Sequence, residues 1–343
     1  MNFIFLSVTS VFDTPAPNFS IKDAERIASD HFGVNGSADS LVSDRDQNFW
    51  IKSPNRNFVL KISNSMEDIN ILDMQNEAMQ YIYQKNPHID LTHPIESNSG
   101  QKILQIEKNK ICYSVRLLRY VDGEFLKDIE YGSDLLFDLG NFLGCLDLAL
   151  EGYDHPAAHR TFVWNARCTN ELYSQIAQNK TDQKMISHYL DLYNKQVLIN
   201  DEHLKKMIIH NDGNDQNIII NSSRKITGII DFGDMIYSYR VLEPAVSMAY
   251  VAIEKDNPLP LIASILKGYN EIMPLNIYEL KSVVYLMCLR LCISISMATY
   301  RKKMFPKNKY LIVSESKARN FLINMLDDNI SKWENELTEH VQS

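Results

Sequence analysis

From Ala38 to Ile62 the chain alternates apolar and polar positions, and from Met66 to Lys85 its apolar residues return every three or four positions. The first pattern has the two-residue period of a half-buried strand, the second the period of an amphipathic helix. Within the first, NFWIK and FVLKIS flank SPNRN, a polar stretch rich in turn formers, which predicts a β-hairpin. Upstream, residues 1–19 read as irregular, with Pro15 and Pro17 as breakers. Ser20-Ile-Lys-Asp23 has the form of a capping box and predicts a helix to about His31, ended by Gly33. After the Met66–Lys85 segment, KILQIEKN and KICYSVRLLRYV predict two more strands before the turn DGE.

Beyond Gly123 the period changes. YGSDLLFDLGNFLGCLDLALEG, NELYSQIAQ and MISHYLDLYNKQVLIN all predict helices, and helices resume past residue 240 with PLIASILKGYNEI, the 283–300 tract and KARNFLINMLDDNISKWENEL. No repeat or low-complexity segment interrupts them. A strand-rich first third therefore meets a helix-rich remainder. The expectation is an α+β chain in two lobes, residues 1–118 and 119–343, joined near Arg119 to Gly123 without a long linker.

Composition narrows the function classes. With 343 residues, 45% of them hydrophobic, the chain can build a sizeable core. A net charge of −8, without any long basic block, gives no electrostatic footprint for nucleic acid. The five cysteines (Cys112, Cys145, Cys168, Cys288, Cys292) form no CxxC pair and read as buried thiols in a reducing compartment. FIFLSV lacks the basic flank and the small-residue cleavage site of a signal peptide. VVYLMCLRLCISISMATY carries Arg290 in its middle and is short for a membrane span, so a buried helix in a cytoplasmic protein is expected.

Two segments break the helical region with polar residues between apolar runs: IIHNDGNDQNIII and, after the hairpin NSSRKITG, GIIDFGD. The first reads as strand, loop, strand, and the hairpin returns the chain so that Asp231 comes beside that loop. Asp212, Asn217 and Asp231 would then converge. Phosphoryl transfer calls for such a set, because its catalysis is mostly positioning and charge neutralisation. A hard cation takes oxygen ligands, which Asn217 and Asp231 can supply. A carboxylate to orient and deprotonate the attacking hydroxyl is supplied by Asp212, with His210 supporting the loop. The alternative is two unrelated Asp- and Asn-rich turns.

The spacing H-x-D-x-x-x-x-N followed by DFG is similar to the signature of the kinase superfamily. Other parts can be sought independently. FVLKIS puts Lys61 on a strand where a phosphate-anchoring lysine belongs, and Glu77 in QNEAM is its natural ion-pair partner. LVSDRDQNFWI contains no glycine, so any cover over the phosphates uses backbone amides with Ser43, Gln47 and Asn48, which speaks against a protein kinase proper.

HNDGNDQN with IDFGD resembles the aminoglycoside phosphotransferase and choline kinase branch, whose members phosphorylate small hydroxylated amines. Within it the chain is most similar to the hydroxylysine kinase group. SDRDQNFWI, VRLLRYVDGE, HPAAHRTFVWN and IDFGDMIYSYRVLEPA carry that likeness, which runs from about residue 14 to about residue 325. The resemblance implies a protein-kinase-like fold, with an antiparallel sheet and helices in the first lobe and a larger helical second lobe. It implies Asp212 as catalytic base, Asn217 and Asp231 as ligands of Mg2+, and Lys61 on the α- and β-phosphates. Arg119, Tyr120 and Val121 would lie along the purine of GTP or ATP. Asn211 stands where the branch more often has glycine. The acceptor is a small amine or amino acid, with hydroxylysine first and homoserine, choline, ethanolamine or an aminoglycoside as alternatives; a nucleotide-binding scaffold is the non-enzymatic one. The expected state is a monomer or homodimer. For the acceptor, Asp234, Tyr237 and Arg290 are candidates, Arg290 for a carboxylate. Each has a bland reading: Asp234 as a turn cap, Tyr237 as core, Arg290 paired with Glu243, and Glu243 as a helix start.

Overall fold

The computed structural model describes residues 11–168, 182–305, 315–327 and 330–342. The chain divides into two compact units, Met1–Met79 with Thr92–Tyr120, and Gln80–Leu91 with Val121–Ser343. The main break therefore follows Tyr120, and residues 80–91 go with the second unit rather than the first.

The first unit opens with α1 (Ile21–Phe32). Ser20 Oγ accepts from the Asp23 amide at 3.1 Å, Asp23 Oδ2 accepts from the Ser20 amide at 2.9 Å, and Gly33 ends the helix at φ 67°. The expected capping box and stop are both present. β1 (Ser37–Leu41), β2 (Gln47–Lys52), β3 (Asn57–Ile62) and, after α2 (Ile69–Lys85) and β4 (Asp90–Leu91), the strands β5 (Pro94–Ile95), β6 (Leu104–Lys108) and β7 (Ile111–Arg119) follow. Apart from β4 these strands make one antiparallel sheet of order β1-β2-β3-β7-β5, with β6 on β7. Alternation buries Phe49, Ile51, Leu60, Ile62, Val115 and Leu117 against Ala24, Ile27, Ala28 and Phe32 of α1. On the other face the register puts Asn48 opposite Lys61, and Lys61 opposite Arg116. The buried Arg116 guanidinium donates to Gln75 Oε1 at 2.8 Å and to Asn76 Oδ1 at 3.0 Å, tying β7 to α2.

The second unit holds β8 (Glu124–Phe125), α3 (Ser133–Leu150), α4 (Gln183–Gln196), β9 (Lys206–Ile209), β10 (Ile218–Ile220), β11 (Ile226–Ile229), β12 (Ile236–Tyr239), α5 (Leu242–Ala252), α6 (Leu259–Ile272), α7 (Ile277–Met304), α8 (Glu315–Asp327) and α9 (Ile330–Gln342). A small sheet runs β4-β11-β10-β8, and β9 pairs with β12. Gly228 is what lets β4 lie parallel to β11, since a Cβ there would meet Asp90 O at 2.3 Å. Glycine also brings α3 and α6 together: a Cβ on Gly140 would lie 2.0 Å from Ile265 O. α7 is the one described helix long and apolar enough to cross a membrane, and 89% of its apolar window is buried inside the protein, as expected of a core helix.

Two expectations need correction. The helix predicted to run to Asn200 ends at Gln196 and continues as a 3-10 turn from Leu198 to His203. Only Cys288 and Cys292 are buried; Cys145 and Cys168 are half-buried, Cys112 is exposed, and none of the five is in a disulfide. The helix predicted over NELYSQIAQ lies outside the described residues.

Candidate active site

β9 runs into the loop His210–Asn217, and β10 leaves it. The loop folds on itself through its own Asx side chains. Asn214 donates its amide to Asp212 O at 2.8 Å, and its Oδ1 accepts from the Gln216 amide at 2.8 Å. These turns fix the Asp212 carboxylate from several sides. Oδ1 accepts from Asn214 Nδ2 at 2.8 Å and from an Arg290 Nη2 hydrogen at 2.8 Å. Oδ2 accepts from Asn217 Nδ2 at 2.7 Å, and the same Nδ2 also donates to Asp212 O at 2.9 Å. Both amide hydrogens of Asn217 are thus committed to Asp212, which sets Oδ1 as its acceptor atom for a further partner. The Asp212 side chain keeps 20% exposure, so this firmly held carboxylate can still be reached.

The β10–β11 hairpin brings Asp231 to the same loop. The Ile230 amide donates to Asn217 O at 3.0 Å, and Asp231 follows at φ 64°, exposed and in the left-handed region. A non-glycine residue there is uncommon and clusters at functional sites. His210 joins the two segments. Its Nε2 donates to Ile230 O at 3.1 Å and its Nδ1 accepts from the Asp212 amide at 3.3 Å, a pattern that fits a neutral ring. Burial lowers its pKa to about 4, although Asp231 and Asp234 pull upward. Phe232 stacks edge-on against it at 4.7 Å. Arg160 of HPAAHR donates to Gly233 O at 2.9 Å and Met235 O at 3.2 Å, clamping the turn behind Asp231.

Asn211 also adopts a positive φ, 66°, which asparagine tolerates better than most side chains. It does more than replace glycine. Its Nδ2 donates to Asp234 O at 3.2 Å and to Trp164 O at 3.4 Å, and its amide donates to Glu243 Oε2 at 2.7 Å. Glu243 is a helix start, on the first turn of α5, but its buried carboxyl is also the underside of the loop. Ser247 donates to Gly213 O from the next turn.

Arg290 does not hydrogen-bond Glu243. It reaches Asp212 from the middle of α7, with its guanidinium carbon 4.4 Å from the Trp164 ring centroid. Burial pushes the Asp212 carboxyl up to about 7, with Asp234 and Asp231 adding to the rise while Arg290 and Asn214 oppose it. Asp234 is buried in the 3-10 turn Phe232–Asp234. Tyr237, half-buried on β12, packs its ring 4.5 Å from that of His159. The buried Asn165 accepts from Ser238 Oγ at 2.7 Å and from the Arg167 amide at 3.1 Å, so it serves packing and a turn.

In the first unit, Lys61 sits on β3 and Glu77 on the exposed side of α2. Ser43 lies in the irregular stretch between β1 and β2, and Asn48 stands opposite Lys61. Gln47 Oε1 accepts from the Phe19 amide at 2.7 Å and its Nε2 donates to Phe19 O at 2.8 Å, so both ends of its amide anchor backbone. The Arg119 amide donates to His93 O at 3.0 Å and the Tyr120 amide to Asn57 O at 3.2 Å. The Tyr120 ring stacks on Trp50 at 5.2 Å, and Val121 is buried at the start of the second unit. Asn214, Arg160 and Trp164 were not singled out as site residues. Only Asn214 had a sequence signal, its place two residues after Asp212 in an Asx-rich loop.

A loop aspartate held by the asparagine five residues on, with a DFG aspartate delivered beside it by a hairpin, is the arrangement that kinase-like phosphotransferases use as a catalytic loop. The fold agrees: an antiparallel sheet with helices, then a larger helical unit. Residues 40–275 match the phosphotransferase enzyme family (APH), and the chain belongs to that family. It is similar to the hydroxylysine kinase of Bos taurus, 28% identical over 340 residues and covering 91% of this chain and 90% of that protein. To the hydroxylysine kinase of Danio rerio it is 28% identical over 321 residues, covering 88% and 90%. Among solved structures, an amicoumacin kinase in complex with AMP-PNP and Ca2+ superposes with a TM-score of 0.70 at 14% identity, covering 91% of this chain and 95% of that one. A microcompartment-associated aminopropanol kinase gives 0.70 at 14%, covering 94% and 99%. At such identity the likeness is one of fold.

Proposed function

We propose that this protein transfers the γ-phosphoryl group of GTP or ATP to a hydroxyl of a small amine or amino acid, a hydroxylysine-like acceptor first. The observation that carries the reading is the fixed Asp212 carboxylate, bonded on one oxygen to Asn217 and on the other to Asn214 and Arg290. The acceptor hydroxyl would donate to Asp212, which takes its proton as the oxygen attacks phosphorus and the nucleoside diphosphate leaves. A carboxyl with a pKa near 7 is matched to that role, because a base works best when its pKa lies near the operating pH. Similarity to hydroxylysine kinases over most of the chain supports the choice of acceptor.

Asn217 Oδ1 and the Asp231 carboxylate would hold a divalent cation, Mg2+ by preference. The fit rests on Asn217, whose two amide hydrogens both go to Asp212. Two protein oxygens with the remaining positions left to phosphates and water is an ordinary Mg2+ arrangement. When bound, such a cation neutralises charge on the transferring phosphate. The family resemblance assigns Lys61 to the α- and β-phosphates, with Glu77 as its ion-pair partner, and the Arg119–Val121 stretch to the purine. With the Arg119 and Tyr120 amides committed to His93 and Asn57, backbone donation to the purine falls to Val121.

The test is an acceptor screen. Purified protein is incubated with GTP or ATP, Mg2+ and a panel of hydroxy amino acids and amino alcohols, and products are read by mass. Gain of one phosphoryl group on a panel member is expected. Nucleotide binding by thermal shift with no phosphorylated product from any acceptor would point instead to a nucleotide-binding scaffold.

A further inference from the structure

Residues 14–19 form neither helix nor strand, yet both ends of the segment are bonded to the first unit. At one end Thr14 Oγ1 donates to Asn64 Oδ1 at 2.6 Å. At the other, the Phe19 amide and carbonyl close on the side chain of Gln47, the first residue of β2, and the buried Phe19 ring sits edge-on to Tyr113 at 5.3 Å. Between the ends, Pro15 and Pro17 each fix φ and stiffen the chain. A segment so short, stiff and doubly anchored is a strap.

What the strap holds is the loop between β1 and β2, and Asn64 is the knot. Asn64 is 1% exposed and stands just past β3, the strand that carries Lys61. Its Oδ1 accepts from the Met66 amide at 3.0 Å as well as from Thr14. Its own amide donates to Asp46 Oδ1 at 3.0 Å, and its Nδ2 lies 3.4 Å from both Pro15 O and Arg45 O. The Arg45 guanidinium in turn lies over the Phe12 ring, with its carbon 5.2 Å from the centroid. One buried side chain thus joins the strap, the β1–β2 loop and the end of the Lys61 strand.

The tie decides what that loop can offer a ligand. The loop ends at Gln47, which pairs with Ile62, so it finishes beside Lys61. It contains no glycine and carries Asp44 and Asp46. A carboxylate turned toward a phosphate chain would repel it, and Asp46 is turned to the Asn64 amide instead. A slack loop would also have to be ordered when phosphates bind, at the expense of affinity. A loop held from behind has its backbone amides set in advance.

We infer that the Thr14–Phe19 strap, acting through Asn64, positions the β1–β2 loop for the phosphate chain of the nucleotide. The inference rests on the phosphotransfer reading above, which brings the phosphates to Lys61, and adds the residues that prepare their seat. Thr14 and Asn64 are positioning residues: they act through the loop and need not touch the nucleotide.

The experiment compares nucleotides that differ in the phosphate chain, AMP-PNP against AMP and GMP-PNP against GMP. Affinities are measured calorimetrically with Mg2+ on the full chain, for wild type, Asn64→Ala, Thr14→Val and Thr14→Ser. Wild type should bind one triphosphate analogue about tenfold or more tighter than its monophosphate, the worth of a charge-assisted bond. In Asn64→Ala that ratio should fall by about fivefold or more, with monophosphate affinity within about twofold of wild type, because only the phosphate seat loses its preorganisation. Thr14→Val keeps the shape without the donor and should lower the ratio by about threefold, and Thr14→Ser, which keeps the donor, should restore it. In turnover the loss should fall on KM for the nucleotide and leave KM for the acceptor unchanged. A wild-type ratio in Thr14→Val overturns the inference whatever Asn64→Ala does, and so decides the matter even where Asn64→Ala fails to fold. An equal loss on both members of a pair also overturns it, leaving Asn64 as a support of the fold alone. So does a wild type without preference for either triphosphate. Turnover separates the two readings. A ratio that falls in the variants, with no phosphorylated product from wild type, sinks phosphotransfer and keeps the strap, whereas product formation with an unchanged ratio does the reverse.

Discussion

Replacing Glu243 with Gln probes the carboxyl beneath the catalytic loop. Glu243 is fully buried, its Oε2 accepts from the Asn211 amide, and its Oε1 has no partner among the described residues. Burial pushes its pKa from 4.5 up to about 7, against the Asn211 amide and Arg290, which pull it down. Because the folded-state pKa lies above the unfolded one, the folded protein binds this proton more tightly. The associated stability is complete below pH 4.5 and declines as pH rises through about 7. A rise from 4.5 to about 7 corresponds to a loss of about 3 kcal/mol once the group is ionised in both states. Glutamine has the same shape, keeps an acceptor for the Asn211 amide and never ionises. Urea unfolding of both proteins should give similar midpoints near pH 4.5. By pH 8 the variant should be the more stable by up to about 3 kcal/mol, with unchanged slopes. Titrations that Glu243 does not influence cancel in the difference; that of the buried Asp147, which the Glu243 charge pushes up, does not, and its change adds to the gain of the variant at higher pH. Parallel stability curves from pH 4.5 to 8 would refute the reasoning, since the carboxyl would then carry no buried-charge penalty.

Asn217→Ala removes the bonds that fix Asp212 and one proposed cation ligand together. A Mg2+ titration of turnover should show a half-saturating concentration raised by about tenfold or more and a lower plateau; an unchanged titration would remove Asn217 from the metal site. Gly140→Ala has no room for its methyl, because the obstacle is Ile265 O at 2.0 Å on the backbone of α6. Overpacking of this kind lowers stability by about 1–3 kcal/mol, and a denaturation midpoint equal to wild type would mean that the two helices do not approach so closely.

Much of the fold was legible where its signals are local. Ser20, Asp23 and Gly33 announce α1 within fourteen positions of sequence, and the β2–β3 hairpin follows from alternation on either side of a polar turn. The strand–loop–strand arrangement around Asp212 and Asn217 was legible because apolar runs flank the polar loop on both sides. What escaped depends on residues far apart in the chain. Arg290 pairs with Asp212 across 78 positions, so a buried arginine could be foreseen but its partner could not. Gln47 bonds to Phe19, 28 residues away, a pairing that the polar stretch around it does not announce. The backbone approach at Gly140 leaves no periodic trace. The thiols were judged by environment class alone, which cannot place Cys112 on the exposed side of β7.

The central claim is that a proton passes from an acceptor hydroxyl to a single fixed carboxylate. Asp212→Asn keeps the shape and the Asn217 neighbour but removes the basic oxygen, so phosphorylated product from the best acceptor is measured by mass alongside nucleotide affinity. The account predicts turnover lower by about 10²-fold or more with nucleotide bound as in wild type; product formation at the wild-type rate would contradict it.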